Sequence, residues 1–420
     1  LNRGRAILLG LLILCFFIEA AAADASSGGV SASINLGFDS FTEKYSIVEE
    51  DTVDNTVEFR TRFNLDFIRG NVLDSHLGIR GFVTAGNNSF DESINLDLEH
   101  VNEKTRFGLE CYFKNKNFQE NTTYSYANNY SRYLAKVFSH VDMGSGMIFR
   151  IYNSFEGMDF KKRTEFDYDY LRNTVSTGLA YNSSLSTAIS LILNGTVKYI
   201  PDSTSINYKS FSGTVEFRRQ FGIDKSIYVS LNTERRLYTD KNLRSPYWFA
   251  LSNVSAQGLF AGRFGVEAEN TLESYSYDIS SDIYFNYIEN KSAILLVYMP
   301  SFSFKAGCGP MYSFLRSNSS IEDRYDEIGI KLSLEYLHPG RIWLSSFYEL
   351  GKRYYDYYGI NPEAAVFSDY IFNRFSTFAS FRINNHIGLN AFVSHEPLNH
   401  KRAGDDTSTT LFSLDMSYSF

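Results

Sequence analysis

Between residues 57 and 67 the side chains alternate without a break. Val57, Phe59, Thr61, Phe63, Leu65 and Phe67 interleave with Glu58, Arg60, Arg62, Asn64 and Asp66. Successive side chains of a strand point to opposite faces, so this stretch, once extended, has one apolar face and one ionic face. The same phase returns along the chain. Phe107, Leu109, Cys111 and Phe113 oppose Arg106, Glu110 and Tyr112, and Met147, Phe149, Ile151 and Phe155 oppose Arg150, Tyr152, Ser154 and Glu156. Phe264, Val266 and Ala268 oppose Arg263, Glu267, Glu269 and Thr271, and Ile328, Ile330, Leu332, Leu334 and Tyr336 oppose Glu327, Lys331, Ser333 and Glu335. No linker or composition break interrupts this grammar from about residue 30 onward, which predicts a single all-β domain of hairpins.

Two architectures accommodate one-faced strands: a soluble sandwich with the apolar face inward, and a membrane barrel with it outward. The turns separate them. Tight connections ("VNEK" 101–104, "MGSG" 143–146, "NSS" 182–184, "GIDK" 222–225, "HPG" 338–340, "NN" 384–385) alternate with longer polar ones. The longer set is 42–55, 116–128, 158–168, 240–246, 317–323, 355–365 and 399–407. A sandwich has no reason to sort its loops by end, whereas a barrel has short periplasmic turns and longer outer loops. The expectation is therefore a closed antiparallel transmembrane β-barrel of about 20 strands, or about 18. The stretch 289–314 reads either as one long strand or as two divided near Pro300. A slightly negative mean hydropathy is compatible with this, because lipid-facing and water-facing residues average out. With 36 Phe and 30 Tyr against 7 Pro, the composition suits pleated, half-buried surfaces. The Tyr clusters at 354–358 and 168–170 are expected in the aromatic girdles of the membrane boundaries.

At the N-terminus, Arg3 and Arg5 precede an apolar run from Ala6 to Ile18 and then small residues around Ala23. That pattern predicts a cleaved signal peptide over 1–25, with the barrel occupying 26–420. Only a few residues would then precede the first strand near Val30, leaving no room for an N-terminal plug. Cys111 and Cys308 are too few for a disulfide framework or a zinc site.

The chain closes on "LFSLDMSYSF", with Phe412, Leu414, Met416, Tyr418 and the terminal Phe420 in one phase. This ending resembles the C-terminal strand of bacterial outer-membrane β-barrels. In that superfamily such an ending is associated with recognition by the barrel-insertion machinery. The resemblance implies insertion among outer-membrane lipids of a Gram-negative bacterium, with the barrel-assembly machinery as a partner during biogenesis.

The ionic face carries mixed signs: Glu58, Arg60, Arg62 and Asp66; Asp97 and Glu99; Arg106 and Glu110; Arg150 and Glu156. Further along come Glu216 and Arg218, Glu234 and Arg236, Glu267 and Glu269, Lys331 and Glu335, Glu349, and Arg382. An Arg or Lys facing lipid at the midplane costs about 2–4 kcal/mol, so these groups line a lumen. One reading is a water-filled pore whose charges bias solute choice; the other is cross-strand pairing that only holds the wall. The passive channel for small hydrophilic solutes or ions is the leading expectation, narrowed by a loop such as 116–128. The alternative is a structural barrel of an export or surface-assembly system with a periplasmic partner.

An enzyme is not expected, since no nucleophile elbow, zinc-protease or phosphate-loop motif is present. A barrel-borne hydrolase remains the third class, its Ser, His and acid meeting across strands. His395, Glu396 and His400 form a candidate surface metal site, which loop polarity explains more simply. No cofactor is implied, and a net charge of −8 argues against nucleic acid.

Overall fold

The computed structural model describes residues 28–419 except 48–49, 73–74, 87–88, 119–127, 163–167, 185, 223–224, 261, 282–283, 319–322 and 403. The leader assigned to 1–25, the terminal Phe420 and most of the loop 116–128 lie outside these residues.

The strands follow one another as an up-and-down meander. They begin with β1 (Gly28–Ile47), β2 (Glu50–Val72), β3 (Ser75–Gly86), β4 (Ser89–Val101) and β5 (Thr105–Phe118). Next come β6 (Tyr130–Gly144), β7 (Met147–Phe160), β8 (Tyr170–Ser184), β9 (Thr187–Tyr199) and β10 (Tyr208–Phe221). The second half holds β11 (Lys225–Tyr238), β12 (Tyr247–Phe260), β13 (Phe264–Tyr277), β14 (Tyr287–Ser301) and β15 (Phe304–Ser317). It ends with β16 (Tyr325–His338), β17 (Ile342–Tyr355), β18 (Tyr370–Arg382), β19 (Ile387–His400) and β20 (Thr407–Ser419). Each strand pairs antiparallel with its sequence neighbours, and β1 also pairs with β20. The result is a closed 20-strand antiparallel barrel, which removes every sheet edge. No helix among the described residues is long and apolar enough to cross a membrane.

The two rims differ as the turns predict. Connections on one rim, such as 145–146 and 339–341, are two to four residues long; most on the other are longer, up to 356–369 with its short helix α1 (Asp356–Ile360). One local expectation is corrected and one open alternative is decided. The loop drawn over 42–55 is mostly ladder, since pairing continues from Thr42↔Asn55 to Ile47↔Glu50. Polarity marked it as a loop, but a hairpin standing above the bilayer keeps its ladder and needs no apolar face. The stretch 289–314 is two strands, β14 and β15, divided just past Pro300 with a register shift between Tyr298 and Ser301. Pro cannot donate to the ladder, so pairing stops there.

The convex surface is apolar. On β16, Ile328, Ile330 and Leu332 are exposed, and eight residue steps at a tilt of about 40° from Ile328 to Tyr336 span about 20 Å, close to the apolar band of such barrels. At the short-turn rim, exposed Tyr181, Phe221, Phe260, Phe264, Tyr298, Phe381 and Tyr418 form an aromatic girdle. The C-terminal strand obeys the same phase: Phe412, Leu414, Met416 and Tyr418 pair in one register row-set with the outward Phe38, Leu36 and Ile34 of β1.

Candidate functional site

The ladder register carries the phase of Glu58 around the whole barrel. All twenty charged positions taken from the sequence fall on that one face, from Asp39↔Glu58 through Asp97↔Glu110, Glu110↔Lys136, Glu156↔Arg172 and Lys331↔Glu349 to Arg382↔Gly388. Contacts that skip strands identify it as the concave face. Lys331 on β16 lies 2.8 Å from Glu269 on β13, and Lys305 on β15 lies 2.5 Å from Glu267 on β13. Neighbouring strands are about 4.8 Å apart, so such reaches succeed only across the inside of a curve.

Most of these charges are paired. Arg60 lies 3.0 Å from Asp39 and 3.4 Å from Asp415, bridging β2 to β20 across β1. Gly37 leaves room for this pairing as it stands: a Cβ there would come 2.6 Å from both the Arg60 Nε and the Asp415 Oδ1, and those side chains would have to shift. Ser89 donates to Glu58 at 3.3 Å, and Arg62 bonds Asn64 while stacking 3.6 Å over Phe82. Asp66 stands opposite Arg80, which bonds Asp97 at 2.6 Å. Arg106 bonds Glu99 at 2.7 Å, and Lys136 bonds Glu110 at 3.0 Å. Glu156 accepts from Arg132, Arg172 and Tyr170. Glu216 accepts from Ser190 and Tyr228, and Arg236 bonds its own-strand neighbour Glu234. Glu335 lies 3.7 Å from Lys305, and Glu349 lies 3.6 Å from Arg374. Arg150, Arg218 and Arg382 have no ion-pair partner among the described residues, and all three lie near the short-turn rim.

The wall is hydrated and electrically uneven. Inward side chains keep much of their surface open: 59% for Arg80, 53% for Glu269 and 59% for Lys291. On β5–β9 the inward phase holds eight cations (Arg106, Lys114, Lys116, Arg132, Lys136, Arg150, Arg172, Lys198) against Glu110, Asp142 and Glu156. On β13–β17, nearly opposite in the ring, it holds seven carboxylates (Glu267, Glu269, Glu273, Glu289, Glu327, Glu335, Glu349) against Lys291, Lys305, Lys331 and Arg353.

The carboxylate-rich wall contains the most deeply buried charge. Glu327, 3% exposed, accepts from Arg353 at 2.9 Å and from Arg374 at 3.3 Å; Arg374 also donates to Glu396 at 2.6 Å. Beneath this cluster Phe372 is fully buried against Gly351. A Cβ at Gly351 would collide with the Phe372 ring, so the bare backbone is the seat of that ring. A cavity of about 420 Å³ opens over the cluster.

Of this cluster Arg353 and Arg374 were not among the sequence candidates, Glu327 entered only as a polar-face residue of its strand, and Glu396 only as part of the metal candidate. Their signal was available, since Arg374 shares the phase of Arg382 and Glu327 that of Lys331. A second missed feature is positional. Every even-numbered strand from β6 to β18 begins with Tyr: 130, 170, 208, 247, 287, 325 and 370. All seven fall in the inward phase at the long-loop mouth. This corrects the expectation that the Tyr clusters belong to the lipid girdle. Tyr354 faces out, but Tyr355 stacks on Phe367 inside, and Tyr170 bonds Glu156. The inward rings hold cations: Lys198 lies 3.8 Å over Tyr170, Arg236 4.5 Å over Tyr208, and Arg353 3.9 Å over Tyr325.

The long loops are latched to each other and to a strand. Lys401 bonds Asp369 at 2.7 Å, which raises its pKa, and Arg235 forks onto Asp278, which holds that carboxyl below its usual range. Ser368 Oγ lies 2.9 Å from His400 Nδ1 and donates to Asp405 at 2.8 Å. A hydrolytic relay orders its members differently, with the acid on the imidazole and the serine open to substrate. Here the acid holds the serine itself, and Ser368 is fully buried. The metal candidate also separates: His395 faces out and bonds Thr410, whereas His400 faces in. No group of metal-holding side chains occurs among the described residues.

No protein-family model matches the chain, and no curated protein matches it by sequence. Solved structures do match. The FrpB iron transporter from Neisseria meningitidis (F3-3 variant) aligns with a TM-score of 0.60 at 9% identity, over 93% of this chain and 82% of that one. The copper transporter OprC aligns with a TM-score of 0.59 at 10% identity, over 94% and 80%. The siderophore receptor PirA from Pseudomonas aeruginosa aligns with a TM-score of 0.54 at 9% identity, over 92% and 80%. At these identities the likeness is one of fold. The closed, evenly stranded barrel with an apolar belt and an ionic interior has the architecture of a transmembrane β-barrel, the fold it shares with these structures.

Proposed function

We propose that this barrel is a passive, water-filled channel for small hydrophilic solutes or ions, without catalytic chemistry of its own. The observation that carries the proposal is the hydrated, charge-lined concave face. Twenty strands about 4.8 Å apart at a tilt of about 40° enclose a ring about 40 Å across, and side chains leave roughly 25 Å of it. Opposite signs on opposite walls would orient a passing solute rather than reject one sign outright. Outer-membrane lipids are the partner of the convex face, and the barrel-assembly machinery would read the C-terminal strand during insertion.

The test is conductance of the refolded barrel in a planar bilayer under a steep KCl gradient. Stable steps with a small reversal potential are expected, because inward carboxylates and cations nearly balance. Replacing Arg150, Arg218 and Arg382 together by Gln removes three inward cations that have no ion-pair partner among the described residues. The reversal potential should then move toward cation preference; an unmoved potential would show that these three do not face the ion path.

A second reading has its own support. The three similar structures are named as an iron transporter, a copper transporter and a siderophore receptor, which favours an uptake barrel for a metal-bearing ligand. A silent bilayer with insertion confirmed, together with binding of a copper or iron complex to the purified protein, would replace the channel by that reading.

A further inference from the structure

The cavity over the Glu327 cluster has the chemistry of a ligand site. Its floor is self-satisfied: Glu327, Arg353 and Arg374 are bound to one another. Its rim is looser. Lys291 is 59% exposed and, among the described residues, pairs with Glu289 of its own strand. Glu349 lies 3.6 Å from Arg374, beyond hydrogen-bond reach, and Glu269, bonded to Lys331 at 2.8 Å, still leaves 53% of its side chain open. All three line the same cavity of about 420 Å³. Between Lys291 and Glu327, in register with both, stands Ser313. It is 2% exposed, lines the cavity, and its Oγ has no hydrogen-bond partner among the described residues. A buried hydroxyl without a partner costs about 1–3 kcal/mol, a cost that a polar group brought within its reach would offset.

The charges of the lining select the occupant. An anion drawn to Lys291 meets Glu269, Glu327 and Glu349, and a cation drawn to those carboxylates meets Lys291, Lys331 and the two arginines. A solute carrying both signs a few ångströms apart satisfies both. We propose that this niche is a binding site for small zwitterionic solutes of the amino-acid or short-peptide class. The solute's carboxylate sits on Lys291, its ammonium between Glu269 and Glu349, and its polar backbone on Ser313. An extended dipeptide separates its ends by about 7 Å, and a cavity of about 420 Å³ has the volume for it. As a transport subsite the niche rests on the channel reading above; as a binding site it does not.

The probe is alanyl-alanine, titrated calorimetrically into the full refolded barrel in detergent and added to the same barrel in a bilayer. Three derivatives accompany it: the amide (cation only), the N-acetyl form (anion only) and the doubly blocked neutral form. Saturable millimolar binding of the zwitterion is expected, with each derivative at least about tenfold weaker because one charge-assisted contact is gone. Ser313→Ala and Lys291→Gln should each weaken binding, whereas Lys352→Gln, on the convex face, should not. Equal binding of a blocked derivative, or no saturable binding by the wild type, overturns the site. Conductance without binding removes the site and leaves the channel. Binding with a silent bilayer removes the channel and leaves the site.

Discussion

Replacing Glu327 by Ala should destabilise the barrel by about 3–5 kcal/mol, more than any other single charge removal on the inner wall. Glu327 is nearly inaccessible to water and is shared by Arg353 and Arg374. Its loss strands two cations against a wall where Arg374 keeps Glu396 but Arg353 keeps no carboxylate within ion-pair distance among the described residues. The contrast is Glu335→Ala, which removes a half-exposed carboxylate 3.7 Å from Lys305 and should cost at most about 1 kcal/mol. Urea unfolding of both variants in detergent micelles, with the gel shift between folded and boiled protein as the readout, measures the difference. Equal midpoints for the two would mean that the Glu327 cluster does not hold the wall. Glu327→Gln should recover part of the loss, since the amide oxygen still accepts from one arginine.

The second large effect tests which face meets lipid. Val215 and Thr214 are neighbours near the middle of β10, and one residue step reverses the face. Val215 lies exposed on the convex side between Phe211 and Phe217, while Thr214 points inward toward Asn232. Val215→Arg should cost about 2–4 kcal/mol in a bilayer and lower the yield of inserted barrel. Thr214→Arg should cost under about 1 kcal/mol, because its guanidinium enters water beside Glu216. Folding yield into lipid vesicles distinguishes the two. A greater loss for the Thr214 variant would invert the assignment of faces, and with it every lumenal position.

Both predictions depend on a property that could be read locally. The face of a strand residue is set by parity within the strand, so Glu58, Arg106, Lys331 and Arg382 could be placed together without knowing which strands pair. The alternation of "MGSG" and "HPG" with longer polar segments likewise needed only the order of turns. Where polarity stood in for parity, the inference failed. The segment 42–55 looks like a loop because it is charged, yet its ladder continues to Ile47↔Glu50. The tyrosines look like girdle residues because girdles are aromatic, yet parity puts Tyr170, Tyr208 and Tyr325 inside, against Glu156, Arg236 and Arg353.

The sequence alone therefore determined the class of the molecule: its strands, its two faces and its two kinds of rim. These follow from a repeat of two residues, which every strand expresses by itself. Tertiary structure alone decided which charges meet. Glu327 finds Arg374 two strands away, Lys331 finds Glu269 three strands away, and Arg60 finds Asp415 at the other end of the chain. Such partners are neighbours only because the sheet curves and closes, and closure depends on the whole ring rather than on any one strand.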